Sequence, residues 1–234
     1  MPDMAAIARL LGEPARMAML EALLDGESKS GRELAKAARV APSTASEHLA
    51  QLHDAGLITS APNGRKRAYS LSGPPVAEAL EALGALAPPK PPRSLREATA
   101  AQLHREARTC YDHLAGSLGV AVCDALVAER LLDPVDGGWT VTARGVESFG
   151  DLGVEVEALR QGRRPLTRVC VDWSERRPHV AGALGAALAS RLFARRWIER
   201  RPGVRAVAVT DAGRSGLAGW LGVVPDGDGG WAAA

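Results

Sequence analysis

The sequence predicts a mainly α protein with small β-hairpins, of α+β class, built as two domains. Three observations carry this expectation. Apolar residues recur at helical spacing through the first third of the chain; Asn63-Gly64, a strong turn pair, separates two short β-prone runs; and a proline cluster, Pro88 to Pro92, precedes a half in which one pattern occurs twice. With 234 residues, 46% of them hydrophobic and 24% charged, the chain has material for one or two ordinary cores, which argues against disorder.

Ile7, Leu10, Leu11, Met17, Leu20, Leu23 and Leu24 keep a helical rhythm that breaks at Gly12 and Pro14, so residues 4–24 predict two helices. Ser28 and Ser30 offer caps for a third helix carrying Leu34. Arg39-Val40-Ala41 makes a turn, and Pro42 suits the first turn of the next helix, where its missing N–H is harmless. That helix places Ala45, Leu49 and Leu52 on one face and leaves Ser43, Thr44, Ser46, Glu47, His48 and Gln51 available elsewhere. Gly56 ends it, Leu57-Ile58 opens a strand, the chain turns at Asn63-Gly64, and Ala68 to Leu71 returns. Pro74 opens a helix over Val76 to Leu86. The domains expected are therefore residues 1–87, a proline-rich linker over 88–93, which is stiff and extended, and residues 94–234, beginning with a long helix over Leu95 to Leu118.

Composition narrows the function. The first residues lack a basic segment followed by an unbroken apolar run, and no stretch has the roughly 18 uncharged apolar residues of a membrane span; a cytoplasmic protein is expected. Cys110, Cys123 and Cys170 are too few for a disulfide framework. Formal net charge is +2, and residues 1–87 hold nine Lys/Arg against ten Asp/Glu, a net of −1. Any affinity for nucleic acid must then come from local placement. Arg65, Lys66 and Arg67 supply it: a helix, tight turn, second helix and basic hairpin can set one helix in the DNA major groove and the hairpin on the adjacent backbone. The candidate DNA-contacting residues are Ser43, Thr44, Ser46, Glu47, His48, Gln51, Asn63, Arg65, Lys66 and Arg67. As plain caps, spacers and a solvated charge cluster, these residues would leave a recognition-type helix beside an Arg-Lys-Arg hairpin without a purpose.

These residues resemble the ArsR-type winged helix-turn-helix regulators. The resemblance rests on Leu11 to Arg16 with Leu20, Glu33-Leu34-Ala35, Ser43 to Leu49 with Leu52, Ala55-Gly56-Leu57-Ile58, and Gly64-Arg65 with Tyr69, and covers residues 5–87. It implies a recognition helix from Pro42 to Ala55, a wing from Ser60 to Ala68, and a homodimer on a palindromic operator in double-stranded DNA. Two departures stand out. Glu47 is acidic where many relatives are basic or neutral; it can accept from cytosine N4 but repels phosphate. Metal-sensing relatives carry Cys-x-Cys before the turn, whereas Glu33-Leu34-Ala35-Lys36-Ala37 has no cysteine.

Beyond the linker, His113-Leu114-Ala115-Gly116-Ser117-Leu118-Gly119 returns 66 residues later as His179-Val180-Ala181-Gly182-Ala183-Leu184-Gly185. The register continues through Ala121 and Ala187, Leu126 and Leu192, and Arg130 and Arg196. Repeats over about 110–154 and 170–223 are expected, each a small-residue-rich helix, a hairpin and a Thr-capped helix, in the manner of degenerate winged helices. Glycines 116, 119, 182 and 185 cost helix propensity and imply close approaches.

The repeats also duplicate chemistry. Cys110 and His113, read as three apart on one helix, with Cys170, Asp172 and His179, are candidate metal ligands; thiolate with imidazole suits zinc or another soft ion. The bland reading makes each His a hydrogen-bonded core residue and each Cys a small hydrophobe. The alternative input is an organic effector bound by Tyr111, Trp173 and Arg176 among the tryptophans and arginines of this half. A third reading makes this half a structural or dimerisation module. Function then reads as an effector-responsive regulator, a repressor, with a thiol-redox protein or enzyme using Cys110 or Cys170 and a nearby His as the alternative. No phosphate loop, nucleophile elbow or carboxylate pair supports an enzyme.

Overall fold

A computed structural model describes residues 1–64, 66–88, 91–201 and 204–233. The chain forms two compact units, Met1–Leu80 and Glu81–Ala234. Among the described residues, no helix is long and apolar enough to cross a membrane.

The first unit opens with α1 (Met4–Leu11) and α2 (Pro14–Leu23). Asp3 caps α1 by accepting from the Ala6 amide, and Glu13 caps α2 by accepting from Arg16 N, with Pro14 in its first turn. A short strand, β1 (Lys29–Ser30), leads into α3 (Gly31–Ala38), where Ser30 and Glu33 form a reciprocal capping box. Arg39, left-handed at φ 56°, ends α3 and turns the chain toward α4 (Pro42–Asp54). After Gly56, φ 70°, β2 (Ile58–Asn63) pairs antiparallel with β3 (Lys66–Leu71) in a sheet of order β1-β3-β2. Pro62 is tolerated because β2 is an edge strand. The expected turn shifts by one residue: Asn63 is itself paired with Lys66, so the turn contains Gly64, at φ 60°, rather than Asn63-Gly64. Met19, Leu20, Leu34, Leu49, Leu52 and Ile58, from four elements, are buried. Burial of each such side chain is worth about 1.5–3 kcal/mol. The division between units falls inside α5 (Pro74–Leu86). Of the expected linker, Pro89 and Lys90 lie outside the described residues.

The second unit runs α6 (Leu95–Glu106), β4 (Arg108–Cys110), β5 (His113–Ala115), α7 (Gly116–Ala128), β6 (Leu132–Val135), β7 (Gly138–Val141) and α8 (Ala143–Leu152). A short α9 (Val156–Arg160) follows. Then come β8 (Arg168–Val171), β9 (Pro178–Ala181), α10 (Gly182–Ala194), β10 (Ile198–Arg200), β11 (Val207–Val209), α11 (Asp211–Leu221), and a last hairpin, β12 (Val223–Pro225) with β13 (Trp231–Ala233). The order hairpin, helix, hairpin, helix thus occurs twice. Local irregularities recur with it: Gly116 and Gly182 start α7 and α10 at φ 78° and 87°, and Arg130 and Arg196 follow those helices at φ 55°. Thr142 and Thr210 cap α8 and α11, accepting from Gly145 N and Gly213 N at 2.9 Å and 3.0 Å.

The long helix expected over Leu95 to Leu118 is corrected. It stops at Glu106, Ala107 turns extended at φ −157°, ψ 130°, and a hairpin follows with Cys110 opposite His113. Tyr111, at φ 61°, makes the turn. The fully buried run Arg108-Thr109-Cys110 cannot be told from buried helix by periodicity, because both of its faces are covered. Leu118, Leu126, Phe149, Leu184, Leu192, Ile198 and Leu217, from α7, α8, α10, β10 and α11, share one core.

Candidate nucleic-acid interface and a cysteine-histidine cluster

On α4, Ala45, Leu49 and Leu52 are buried while Ser43, Ser46 and Glu47 are exposed and Thr44 is half-buried. The Ser46 hydroxyl donates back to Pro42 O at 2.9 Å, keeping its lone pairs for an outside donor. Gln51, which is exposed, and His48, which is half-buried, both engage the first two helices. Gln51 Oε1 accepts from Arg16 Nη1 at 2.7 Å, and Arg16 is itself fixed by Nε to Leu10 O and Nη2 to Arg9 O. His48 Nε2 lies 3.6 Å from Glu13 Oε2. These contacts tie α4 to the α1–α2 corner, a role that spacing along one helix could not reveal. Asn63, Lys66 and Arg67 stand exposed on the hairpin; Arg65 lies outside the described residues.

In the second unit, each of two hairpins presents one cysteine and one histidine. Directly opposed residues of an antiparallel pair project to the same face, so the registers Cys110↔His113 on β4–β5 and Cys170↔His179 on β8–β9 place thiol and imidazole side by side twice. The two hairpins then meet like to like. Cys110 Sγ is 3.8 Å from Cys170 Sγ, and His113 Nε2 is 3.2 Å from His179 Nε2. The four donor atoms all lie within 4.8 Å of one another. Cys110, His113 and His179 are buried and Cys170 half-buried.

The hydrogen bond from Cys110 and the two imidazoles beside it pull the Cys170 thiol well below its ordinary value, against burial, while that same bond and burial push the Cys110 thiol up. Burial pushes the His113 imidazole down, but its bond to Asp112 and the neighbouring Cys170 outweigh this and raise it. Asp112 Oδ1 lies 3.2 Å from His113 Nδ1, and Arg164 grips the same carboxylate. Burial opposes ionisation of Asp112, yet these partners hold its pKa at about 2. Asp112 and Arg164 therefore belong to the surroundings of the cluster. The sequence hinted at Asp112 only through its adjacency to His113.

Asp172, expected among the ligands, is placed otherwise. Its Oδ2 accepts from Arg108 Nη2 at 2.8 Å and Gly116 N at 2.7 Å; its Oδ1 accepts from Ser174 N, Ser174 Oγ and Glu175 N at 2.7–3.0 Å. Burial raises its carboxyl, but the Arg108 guanidinium and these hydrogen bonds prevail and hold it well below the usual carboxylate range. It joins α6, β4, the start of α7 and the 172–177 turn through the fully buried Arg108. Nor do Cys110 and His113 share a helix; they face each other across a hairpin.

The candidate effector residues are dispersed. Tyr111 is in the β4–β5 turn, Trp173 stacks on Arg108 at 4.4 Å, and Arg176 is exposed at φ 54°. Of the other arginines of this half, Arg164 is paired with Asp112 and Arg177 with Asp124. A small apolar recess lined by Leu114, Val122, Val180, Leu188 and Trp220 has none of the three effector candidates in its lining.

A family model described as "Bacterial regulatory protein, arsR family" matches residues 13–60, the span from the α2 cap to the middle of β2. Over 213 residues the chain is 42% identical to the "Uncharacterized HTH-type transcriptional regulator YdfF" of Bacillus subtilis (strain 168), covering 91% of this chain and 94% of that one. Among solved structures, Rv0081 of M. tuberculosis is 31% identical over 34% of this chain and 79% of its own, with a TM-score of 0.32. Reduced HlyU from Vibrio cholerae N16961 is 28% identical over 35% and 85%, with a TM-score of 0.33. With a helix-turn-helix and hairpin in its first unit, and a relative that matches nearly end to end, the chain belongs to the ArsR family of bacterial regulatory proteins and is a DNA-binding transcriptional regulator.

Proposed function

We propose that the protein is an effector-responsive repressor that binds a palindromic operator as a homodimer. The observation that carries this reading is α4, which buries Ala45, Leu49 and Leu52 and leaves Ser43, Ser46 and Glu47 solvated, followed directly by a hairpin bearing exposed Asn63, Lys66 and Arg67. In the proposed complex, Ser43, Ser46 and Glu47 reach base edges in the major groove, with Glu47 accepting from a cytosine amine. Arg65, Lys66, Arg67 and Asn63 hold the flanking backbone. Thr44 adds a phosphate contact, while His48 and Gln51 act by fixing the helix against α1 and α2. The proposed input is in the second unit, where the Cys/His cluster is the concentrated chemistry.

Binding an effector changes operator occupancy only if the effector favours one arrangement of the paired recognition helices over another. A gel-shift titration of the full chain with DNA upstream of its own gene, against random DNA at equal salt, tests the reading. Specific affinity at least roughly a thousandfold above random is expected, and equal affinity would overturn it.

A further inference from the structure

We infer that Cys110, His113, Cys170 and His179 form a closed tetrahedral site for a thiophilic divalent cation of the zinc class, and that this cation is the effector. The second clause rests on the regulatory reading above; the first does not.

The geometry is quantitative. An ion bound tetrahedrally, with sulfur at about 2.3 Å and imidazole nitrogen at about 2.0–2.1 Å, holds its two sulfurs about 3.8 Å apart and its two nitrogens about 3.3 Å apart. The structure has 3.8 Å and 3.2 Å. A bound ion sets sulfur–nitrogen separations of roughly 3.6 Å, so donor atoms already within 4.8 Å of one another close the shell with small side-chain movements.

Without an ion the two imidazoles meet nitrogen to nitrogen at 3.2 Å, with room for at most one proton between them. Asp112 at 3.2 Å from His113 Nδ1 selects the tautomer that carries its proton there, leaving His113 Nε2 as a bare acceptor, as in metal-bound histidines with carboxylate partners. That acceptor faces the same atom of His179. His179 Nδ1 is buried with no hydrogen-bond partner among the described residues, so its imidazole is held by packing and by the cluster alone. Charge also balances. Two thiolates neutralise one divalent cation, giving a buried site of zero net charge and avoiding most of the desolvation penalty of an isolated ion. The two thiol protons leave to solvent. Two sulfurs and two imidazoles select zinc-class ions over magnesium or calcium, which take oxygen. Four protein ligands leave no open position for a substrate, the mark of a structural or sensing site.

The ligands come from hairpins about 60 residues apart in sequence, so binding cross-links the start of one repeat to the start of the other. α7 and α10 follow these hairpins directly, giving the ion direct leverage over both.

The test uses reduced full-length protein, stripped with chelator and titrated with Co²⁺ and then Zn²⁺. One cobalt per chain is expected, with the intense visible bands of tetrahedral coordination and a thiolate charge-transfer band, both abolished by stoichiometric zinc. Cys110→Ser and Cys170→Ser should lose the charge-transfer intensity in part and the stoichiometric binding altogether, whereas Cys123→Ser retains both. X-ray absorption of the zinc-loaded wild type needs no variant and should give two sulfurs at about 2.3 Å and two nitrogens at about 2.0–2.1 Å. Octahedral spectra, no retained metal, or a native Cys110–Cys170 disulfide with its loss of two hydrogen masses would each overturn the site. Gel shifts of loaded and stripped protein then separate the two clauses. A changed operator affinity supports the effector assignment; unchanged affinity with metal bound overturns it and leaves the site standing. Failure of both forms to prefer operator DNA removes the regulatory reading alone.

Discussion

Gly185→Ala tests how the cluster is held. A Cβ built on Gly185 would lie 2.3 Å from Val180 O, 2.9 Å from Val180 C and 3.2 Å from His113 Cβ. The first two contacts are with backbone, which cannot swing aside, and the third is with the root of a cluster histidine. Relief requires α10 to move off the end of β9, shifting His113 against His179, whose imidazoles now meet at 3.2 Å. Overpacking of this kind costs about 1–3 kcal/mol. Alanine gains about 1 kcal/mol of helix propensity over glycine, so a net destabilisation of about 0–2 kcal/mol is expected. Gly219→Ala in α11 is the matched control, because nothing lies within 4 Å of its added Cβ; it should stabilise by about 0.5–1 kcal/mol. Urea unfolding of both variants gives the stabilities, and cobalt titration reads the site. If Gly185→Ala is as stable as Gly219→Ala and binds cobalt with wild-type spectrum and affinity, the close packing of α10 on the Cys/His hairpins does not position the ligands.

Asp112→Asn keeps the size of the side chain but weakens its acceptor toward His113 Nδ1 and its grip on Arg164; metal affinity should fall about 10–100-fold, measured by competition with a chromogenic chelator. Lys66→Ala and Arg67→Ala should each lessen the slope of log affinity against log salt by about 0.9 if each neutralises one phosphate; an unchanged slope in both removes the hairpin from the DNA contact. Burial pushes the Cys123 thiol up to about 12, so in native protein at pH 8 it should resist alkylation and react only after unfolding, as peptide mass mapping would show. Ser30→Ala removes the α3 capping box at a cost of about 1 kcal/mol. Because the Ser30 hydrogen bonds lower the Glu33 carboxyl, their contribution is present above its unfolded pKa and lost as pH falls through the folded one. Thermal melts of Ser30→Ala and wild type should therefore converge in acid.

What could be read from the sequence follows from whether a signal is local. Pro42, Gly56, Ser30 with Glu33, and the spacing Ala45, Leu49, Leu52 each state their own conformational reason, and the helices of the first unit follow them; what local signals missed is pairing, since the short β1 was not expected and the pairing of Asn63 with Lys66 moves the turn and starts the returning strand at Lys66 rather than Ala68. Thr142 and Thr210 declared their helices in the same way. The β4–β5 hairpin gave no such signal. Its strands are three residues each and buried on both sides, so no alternation marks them, and its turn is closed by a left-handed Tyr111 rather than by glycine or asparagine.

That one hairpin decides the chemistry of the second unit. On a helix, Cys110 and His113 would be neighbours three apart, Asp172 would be as plausible a ligand as His179, and the two repeats would offer similar motifs with no reason to meet. As opposed residues on hairpins, each thiol and imidazole share a face, and the two faces close on one another sulfur to sulfur and nitrogen to nitrogen. Asp172 is drawn off to the buried Arg108, which leaves four donors of the types and separations that a tetrahedral thiophilic ion requires. With no cysteine from Glu33 to Ala37, the proposed input lies with a ligand set carried by two hairpins, of which a helical reading of residues 107–115 would have erased the first.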